Sequence, residues 1–309
     1  MNTKNLFITA IALLFVSLSF AQDQNQDDDT TYNLTNIQEF TPSKLLRKGQ
    51  WDIKFFNSIY TQTERTDAGS TSVTIPRETF FTNTTEIYTG ISDNRRINIG
   101  FIFQVRSNTF GGAGALDVFK FRDDATSRSG LTTIAPSIRV QPFKNISNFS
   151  FTSSIYLPVF KDKANAPYLD KRSVFWETKF FYDKTFGQDK WQLFTQADFG
   201  FNFGEKSEDA NPNDSNVGER FANNSLFLPL AVFLSYFPSS ASTIYVNTKQ
   251  AFLIDLGNNF SQNSTSLGIG TKYQLTEVLN IEASFDKFVR GNNFQGLGQT
   301  FSIGLRALF

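Results

Sequence analysis

The stretch TFSIGLRALF, residues 300–309, decides how the rest of the chain is read. Phe301, Ile303, Leu305, Ala307 and Phe309 share one phase of a two-residue period. Ser302, Gly304 and Arg306 share the other. Successive side chains of a strand point to opposite faces, so this is a strand with one apolar and one polar face. Its length is that of a tilted strand crossing a bilayer. An edge strand of a soluble sandwich shows the same alternation, so the choice between the two falls to the rest of the chain.

Composition narrows that choice. The chain has 309 residues, of which 36 are phenylalanine, yet its mean hydropathy is only −0.27. Abundant aromatics with low average hydropathy suit strands whose two faces cancel. Acidic and basic residues balance at 29 each, which leaves no electrostatic footprint for nucleic acid. Cysteine and histidine are both absent. Disulfides and thiolate chemistry are thereby excluded, and so are the commonest general base and metal ligand. A serine–aspartate pair without a base is a poor nucleophile. No enzyme activity is expected, and no catalytic, cofactor or metal residues are assigned.

The first 21 residues read as a secretory signal. Lys4 gives a positive start, 6–16 is an apolar run, and Ser19 and Ala21 supply small residues before a cleavage point. A membrane anchor is the alternative reading. Beyond this segment no apolar run is long enough for a spanning helix, which leaves a barrel as the way to cross a membrane. Residues 22–49 form a polar, initially acidic periplasmic segment, read either as a mobile leader or as a piece folding back into the barrel mouth. Residues 50–309 are the barrel.

Twelve strand candidates follow, at 50–62, 79–91, 96–107, 131–143, 148–160, 172–182, 190–204, 224–237, 242–252, 264–274, 279–289 and 300–309. The connections at 92–95, 144–147, 183–189, 238–241 and 275–278 are short. Those at 63–78, 108–130, 161–171, 205–223, 253–263 and 290–299 are longer and rich in Gly, Asn, Asp and Ser. Sorting of loops by length predicts an all-β, single transmembrane, antiparallel up-and-down barrel of about 12 strands, with short periplasmic turns and long extracellular loops. Pro136 and Pro142 predict a bulged or shortened fourth strand, because proline cannot donate to a ladder. The eighth candidate is apolar on both phases, so its register is undetermined.

The inward phase carries Lys54, Arg106, Arg139, Lys179, Lys249, Lys272 and Arg306. It also carries Asp52, Glu86, Glu177, Asp198, Glu282 and Asp286. Near balance predicts ion-pair ladders across neighbouring strands: Glu282 or Asp286 with Arg306, and Glu177 or Lys179 with Asp198. These charges either hold a hydrated interior or form a constriction that a solute must pass. Inward glycines (Gly100, Gly200, Gly268, Gly270, Gly304) leave bare backbone for a close-packed tyrosine, a plug segment or a bend. Inward aromatics, Tyr60, Tyr88, Tyr156, Tyr245, Phe175, Phe181 and Phe194, line a path or fill the lumen as core.

Phe301, Ile303, Leu305 and Phe309 resemble the C-terminal strand of bacterial outer-membrane barrels, which the barrel-assembly machinery reads. That resemblance implies outer-membrane lipid and the assembly machinery as partners, and Phe309 as an assembly signal. The turns GISDNRRINI (90–99) and YQLTEVLNI (273–281) are similar to those of the barrel family of meta-pathway phenol-degradation transporters. Ala21 followed by Gln22 is like exported proteins of the Bacteroidota. The resemblance implies passage of small organic solutes through the outer membrane. The competing expectation is a structural or assembly barrel with a closed, salt-bridged lumen and loop-mediated partner binding.

Overall fold

The structure, a computed structural model, describes residues 44–160, 168–170, 173–204, 224–257 and 259–309. Twelve strands among them close one antiparallel barrel: β1 (Trp51–Thr66), β2 (Ser72–Gly90), β3 (Ile97–Thr109), β4 (Ser127–Val140), β5 (Phe149–Pro158), β6 (Val174–Phe186), β7 (Trp191–Phe203), β8 (Ser225–Ser239), β9 (Ser242–Asp255), β10 (Gln262–Gln274), β11 (Leu279–Gly291) and β12 (Gln299–Leu308). Each strand pairs with its sequence neighbours, and β12 returns to β1 from Asp52↔Leu308 to Thr61↔Gln299. Closure removes every edge, so each strand finds backbone partners on both sides. The expected signal at 1–21 and most of the 22–49 segment lie outside the described residues.

The period-2 pattern sets the outer wall. Phe101, Ile99, Leu267, Ile269, Ile303 and Leu305 are exposed on the outer face. Trp51, Trp191 and Tyr236 mark the short-turn rim, where Trp191 and Tyr236 pack with centroids 4.8 Å apart. Such rings suit the boundary between an apolar slab and water.

Four details depart from the sequence expectation or resolve it. Residues 63–78 are mostly strand rather than a long loop: β1 and β2 run on as a hairpin whose connection is only 67–71. Its tip is held by Gly69 N donating to Asp67 Oδ1 at 2.7 Å. The β11–β12 connection braces it, with Thr66 N donating to Gln295 O at 2.8 Å and Asn293 N to Gly69 O at 2.8 Å. Loop lengths therefore sort less cleanly than expected, since 141–148 on the short-turn side exceeds 67–71 on the other. The fourth strand is shifted, starting at Ser127 and ending before Pro142. Its ladder to β5 is interrupted at Ala135 and Pro136, and Thr132 bulges opposite Gln104 and Val105.

In β8 the register is fixed by β7: Phe194↔Phe233 and Gly200↔Phe227 place Phe227 and Phe233 inward. Leu226, Leu230, Val232 and Leu234 then face outward. Pro229 interrupts that ladder, as a residue without an N–H must. Finally, residues 44–50 fold back into the short-turn mouth. Gly49 N donates to Gly90 O at 3.0 Å, and Leu46 packs with Tyr88 and Leu308 in a buried cluster. On the outer wall at the opposite end, the β3–β4 connection covers the polar residues Thr61, Thr79 and Ser107. There Ser107 Oγ donates to Val118 O at 2.6 Å, and Phe119 and Phe121 pack edge-on against Phe81.

Candidate lumen site

The inward side chains are not spread evenly around the wall. Five ionisable residues gather near the short-turn end across β12, β1, β2 and β4. Asp52 is the hub: its side chain is fully buried and accepts from Arg306 Nε at 2.7 Å and Nη2 at 3.0 Å. Arg139 Nη1 reaches the same carboxylate at 3.3 Å and donates through Nη2 to Glu86 at 2.8 Å. Lys54 lies 3.3 Å from Glu86 and 3.9 Å from Asp52. Buried charges of this kind persist only when paired and hydrogen-bonded.

The reach of Arg139 depends on its neighbours. It sits on β4, whereas its carboxylates sit on β1 and β2, so β3 lies between. There β3 has Gly100, and a Cβ at that position would run into the Tyr88 ring. Tyr88 lies over this bare backbone and hydrogen-bonds Ser137 Oγ at 2.7 Å. The Arg139 guanidinium stacks 3.4 Å from the Tyr88 ring centroid, a cation–π contact that holds it over the gap.

The opposite arc of wall, β6 to β9, is aromatic. Phe181 stacks on Phe194 at 5.9 Å, Phe194 meets Phe233 at 5.5 Å, and Phe233 meets Tyr245 at 5.8 Å. Tyr245 lies over Gly270, where a Cβ would collide with its ring, and donates to Glu282 Oε1 at 2.7 Å. A close-packed tyrosine is therefore what Gly270 admits, whereas Gly268 on the same strand lies against the side chains of Asn247 and Asp286. Lys272 pairs with Glu282 at 3.4 Å and Lys249 with Asp286 at 2.8 Å.

A third group lies between these arcs, nearer the long loops. Glu177 pairs with Lys179 at 3.1 Å and accepts from Tyr156 OH at 3.0 Å. Arg106 pairs at 3.0 Å with Asp170, a residue from the β5–β6 connection that turns inward. Asn108 Nδ2 donates to Tyr168 O at 2.8 Å and Leu169 O at 2.9 Å, which ties that connection to the inner wall.

The expected pairs for Arg306 are not formed. Glu282 and Asp286 do lie on the adjacent β11, but Arg306 pairs with Asn280 in the β11 register and turns toward Asp52 on β1. The reason is closure: the seam between the first and last strands brings up a buried carboxylate. Lys179 lies directly opposite Asp198, yet its ion pair is with Glu177 two residues along its own strand. Asp198 instead accepts from Gln196 Nε2 at 2.9 and 2.8 Å. Sequence reasoning missed Asp170, because a loop residue carries no phase. Phe309 sits at the seam, exchanging backbone bonds with Trp51 at 2.6 and 3.0 Å.

No family model and no curated protein matches the chain. Solved structures do. The chain is similar to an outer-membrane channel from Pseudomonas putida F1, with a TM-score of 0.64 and 11% identity over 93% of this chain and 100% of that one. It is also similar to the β domain of the Bordetella autotransporter BrkA, with a TM-score of 0.55 and 11% identity over 84% and 99% of the two chains. At such identity the likeness speaks for the closed barrel fold.

Proposed function

We propose that this chain is an outer-membrane channel for small organic solutes. The observation that carries the reading is the split lining of the lumen. A solute passing the short-turn end meets the Asp52–Arg139–Arg306 cluster on one side and the Phe181–Phe194–Phe233–Tyr245 arc on the other. That pairing of an ionised wall with an aromatic wall suits molecules with both a polar and an apolar edge. The outward apolar belt, bounded by Trp51 and Trp191, supports a membrane position. Residues 1–21 would then direct export, and 22–49 would precede the barrel on the periplasmic side. The likeness of the turns at 90–99 and 273–281 to phenol-degradation transporter barrels, and of the Ala21–Gln22 context to Bacteroidota exports, belongs to this proposal.

Purified full-length protein in planar bilayers tests it. Discrete conductance steps are expected; folded, inserted protein without steps overturns the channel reading. It would favour the second reading, a closed structural barrel. That reading draws on the packing of Leu46 with Tyr88 and Leu308 in the mouth and on the ion cluster that crosslinks the wall. Phe309 is proposed as the assembly signal. Its deletion is expected to lower the amount of heat-modifiable, folded barrel in the outer membrane, and unchanged assembly would remove that role.

A further inference from the structure

The outer wall carries a lysine where the strand pattern calls for an apolar residue. On β6 the phase of Phe180, Tyr182 and Phe186 faces outward, and Lys184 shares it, opposite Leu193 of β7. Lys184 lies just above the short-turn rim, where Phe186 pairs with Trp191. An ammonium on that face cannot rest in hydrocarbon, so the side chain must stretch along the wall toward the headgroups. Among the described residues it forms no ion pair. The adjacent Asp183 is on the inward phase and accepts from Gln192 Nε2 at 3.2 Å. Outward cations at the long-loop end differ, because they find partners in the protein. There Lys287 Nζ donates to Leu297 O at 2.7 Å, and Arg77 Nη1 donates to Thr61 Oγ1 at 2.9 Å.

A second lysine belongs to the same corner. The β4–β5 connection, 141–148, is fastened to β6 by Asn148 Nδ2, which donates to Asp183 O at 2.6 Å. It presents Phe143, 50% exposed, and Ile146, 42% exposed, with the exposed Lys144 between them in the chain. Phe143 packs on Phe149 at 5.6 Å, and Phe149 stacks on Phe180 at 6.2 Å, so this ring continues the outward aromatic belt to the rim. Lys144, too, has no ion pair among the described residues. Asp189 and Lys190 in the adjoining turn cancel each other, which leaves Lys144 and Lys184 unbalanced.

Charge beside apolar surface selects the ligand. A soluble anion would use the lysines but leave Phe143 and Ile146 in water. A lipid without net charge would cover the rings but bring no surplus negative charge to the lysines. An anionic phospholipid meets both needs, because its phosphate oxygens accept from the ammonium groups and its acyl chains cover the rings. We propose that the corner between the β4–β5 connection and the end of β6 binds an anionic phospholipid of the leaflet on the short-turn side, with the headgroup phosphate on Lys184 and Lys144. The proposal rests on the membrane position of the barrel and not on passage through its lumen.

The test uses Trp191, at the edge of this corner, as the reporter. Full-length protein carrying Trp51→Phe and Trp176→Phe is reconstituted in phosphatidylcholine vesicles with increasing shares of brominated phosphatidylglycerol. Quenching of Trp191 is compared with that by brominated phosphatidylcholine. One lysine at an anionic surface contributes a factor of about five at low salt. Phosphatidylglycerol is expected to be favoured by about that factor or more, and added salt should shrink the preference. Lys184→Gln should reduce it, Lys184→Gln with Lys144→Gln should abolish it, and Lys184→Arg should keep it. Heat-modifiable migration confirms that each variant is folded. The site is overturned by equal quenching from the two lipids, by a preference that survives the double glutamine variant, or by Lys184→Arg behaving like Lys184→Gln. Vesicle flotation keeps the two readings apart. Insertion without preference removes this site alone, whereas a folded barrel that does not float with the vesicles removes the membrane position and the site with it.

Discussion

The two arcs of the lumen wall hold their strands together in different ways. The arc from β12 through β1 to β4 uses ions, and the arc from β6 to β9 uses rings. In the first, one carboxylate on β1 links an arginine on β12 with another on β4, so the barrel's closing seam and its fourth strand share a buried hub. In the second, the ring-to-ring contacts run only between neighbouring strands. Ion pairs reach further because the arginine side chain is long and its fork donates in several directions at once. Rings act at contact range, and their energy tracks the area they cover. The charged arc should therefore fail as a unit, and the aromatic arc piece by piece.

The strongest test removes the hub. Asp52→Ala leaves Arg306, Arg139 and Lys54 facing one another in a buried site, with Glu86 the carboxylate that remains to the cluster among the described residues. Removing one partner of a buried ion pair costs about 3–5 kcal/mol. The loss should appear in reversible unfolding in lipid vesicles. A cost near that of an exposed pair, below about 1 kcal/mol, would mean that the cluster is hydrated and that the contrast between the arcs is illusory.

The matching change in the other arc is expected to cost less. Gly270→Val puts a branched side chain where the Tyr245 ring lies. Overpacking of this kind costs about 1–3 kcal/mol. The ring can tilt away and the neighbouring Phe194–Phe233 contact survives, so the damage stays local. Combining Gly270→Val with Asp52→Ala should give nearly additive losses, because the two sites share no partner. Strong coupling in that double-mutant cycle would show the arcs to be one network.

The same contrast explains what could be read in the sequence. Facing is a local property: period 2 assigns Lys54, Glu86, Arg139 and Arg306 to one phase without knowledge of any partner. Pairing is not local. Arg306 was expected to meet a carboxylate on β11, the neighbour in sequence, and its partner comes from the first strand, some 250 residues away. The eighth strand resisted assignment because its inward phase belongs to the aromatic arc, so Phe227 and Phe233 made both faces apolar; only the register with β7 separates them. The upper part of the first hairpin is rich in threonine and serine and stands beyond the apolar belt, which is why it read as loop. Asp170 was invisible for the opposite reason. It lies in a connection, and what brings it inward is the hold of Asn108 on the backbone of Tyr168 and Leu169.

The smallest expected effect is also the most specific to passage. Among the described residues the ion cluster holds three cations, Lys54, Arg139 and Arg306, and two anions, Asp52 and Glu86, so their net charge is 3 − 2 = +1. A constriction of that sign favours anions. Arg306→Ala brings the cluster to zero, and the reversal potential in a salt gradient should move toward cation preference. Stability should fall by less than in Asp52→Ala, because Asp52 keeps Arg139 at 3.3 Å and Lys54 at 3.9 Å. Phe233→Ala, the control from the aromatic arc, alters no charge and should leave the reversal potential where it was. The two variants thus separate field from packing. If Arg306→Ala melts and selects like the unaltered protein, the guanidinium neither fixes the seam nor shapes the field. The charged arc would then differ from the aromatic one in composition alone.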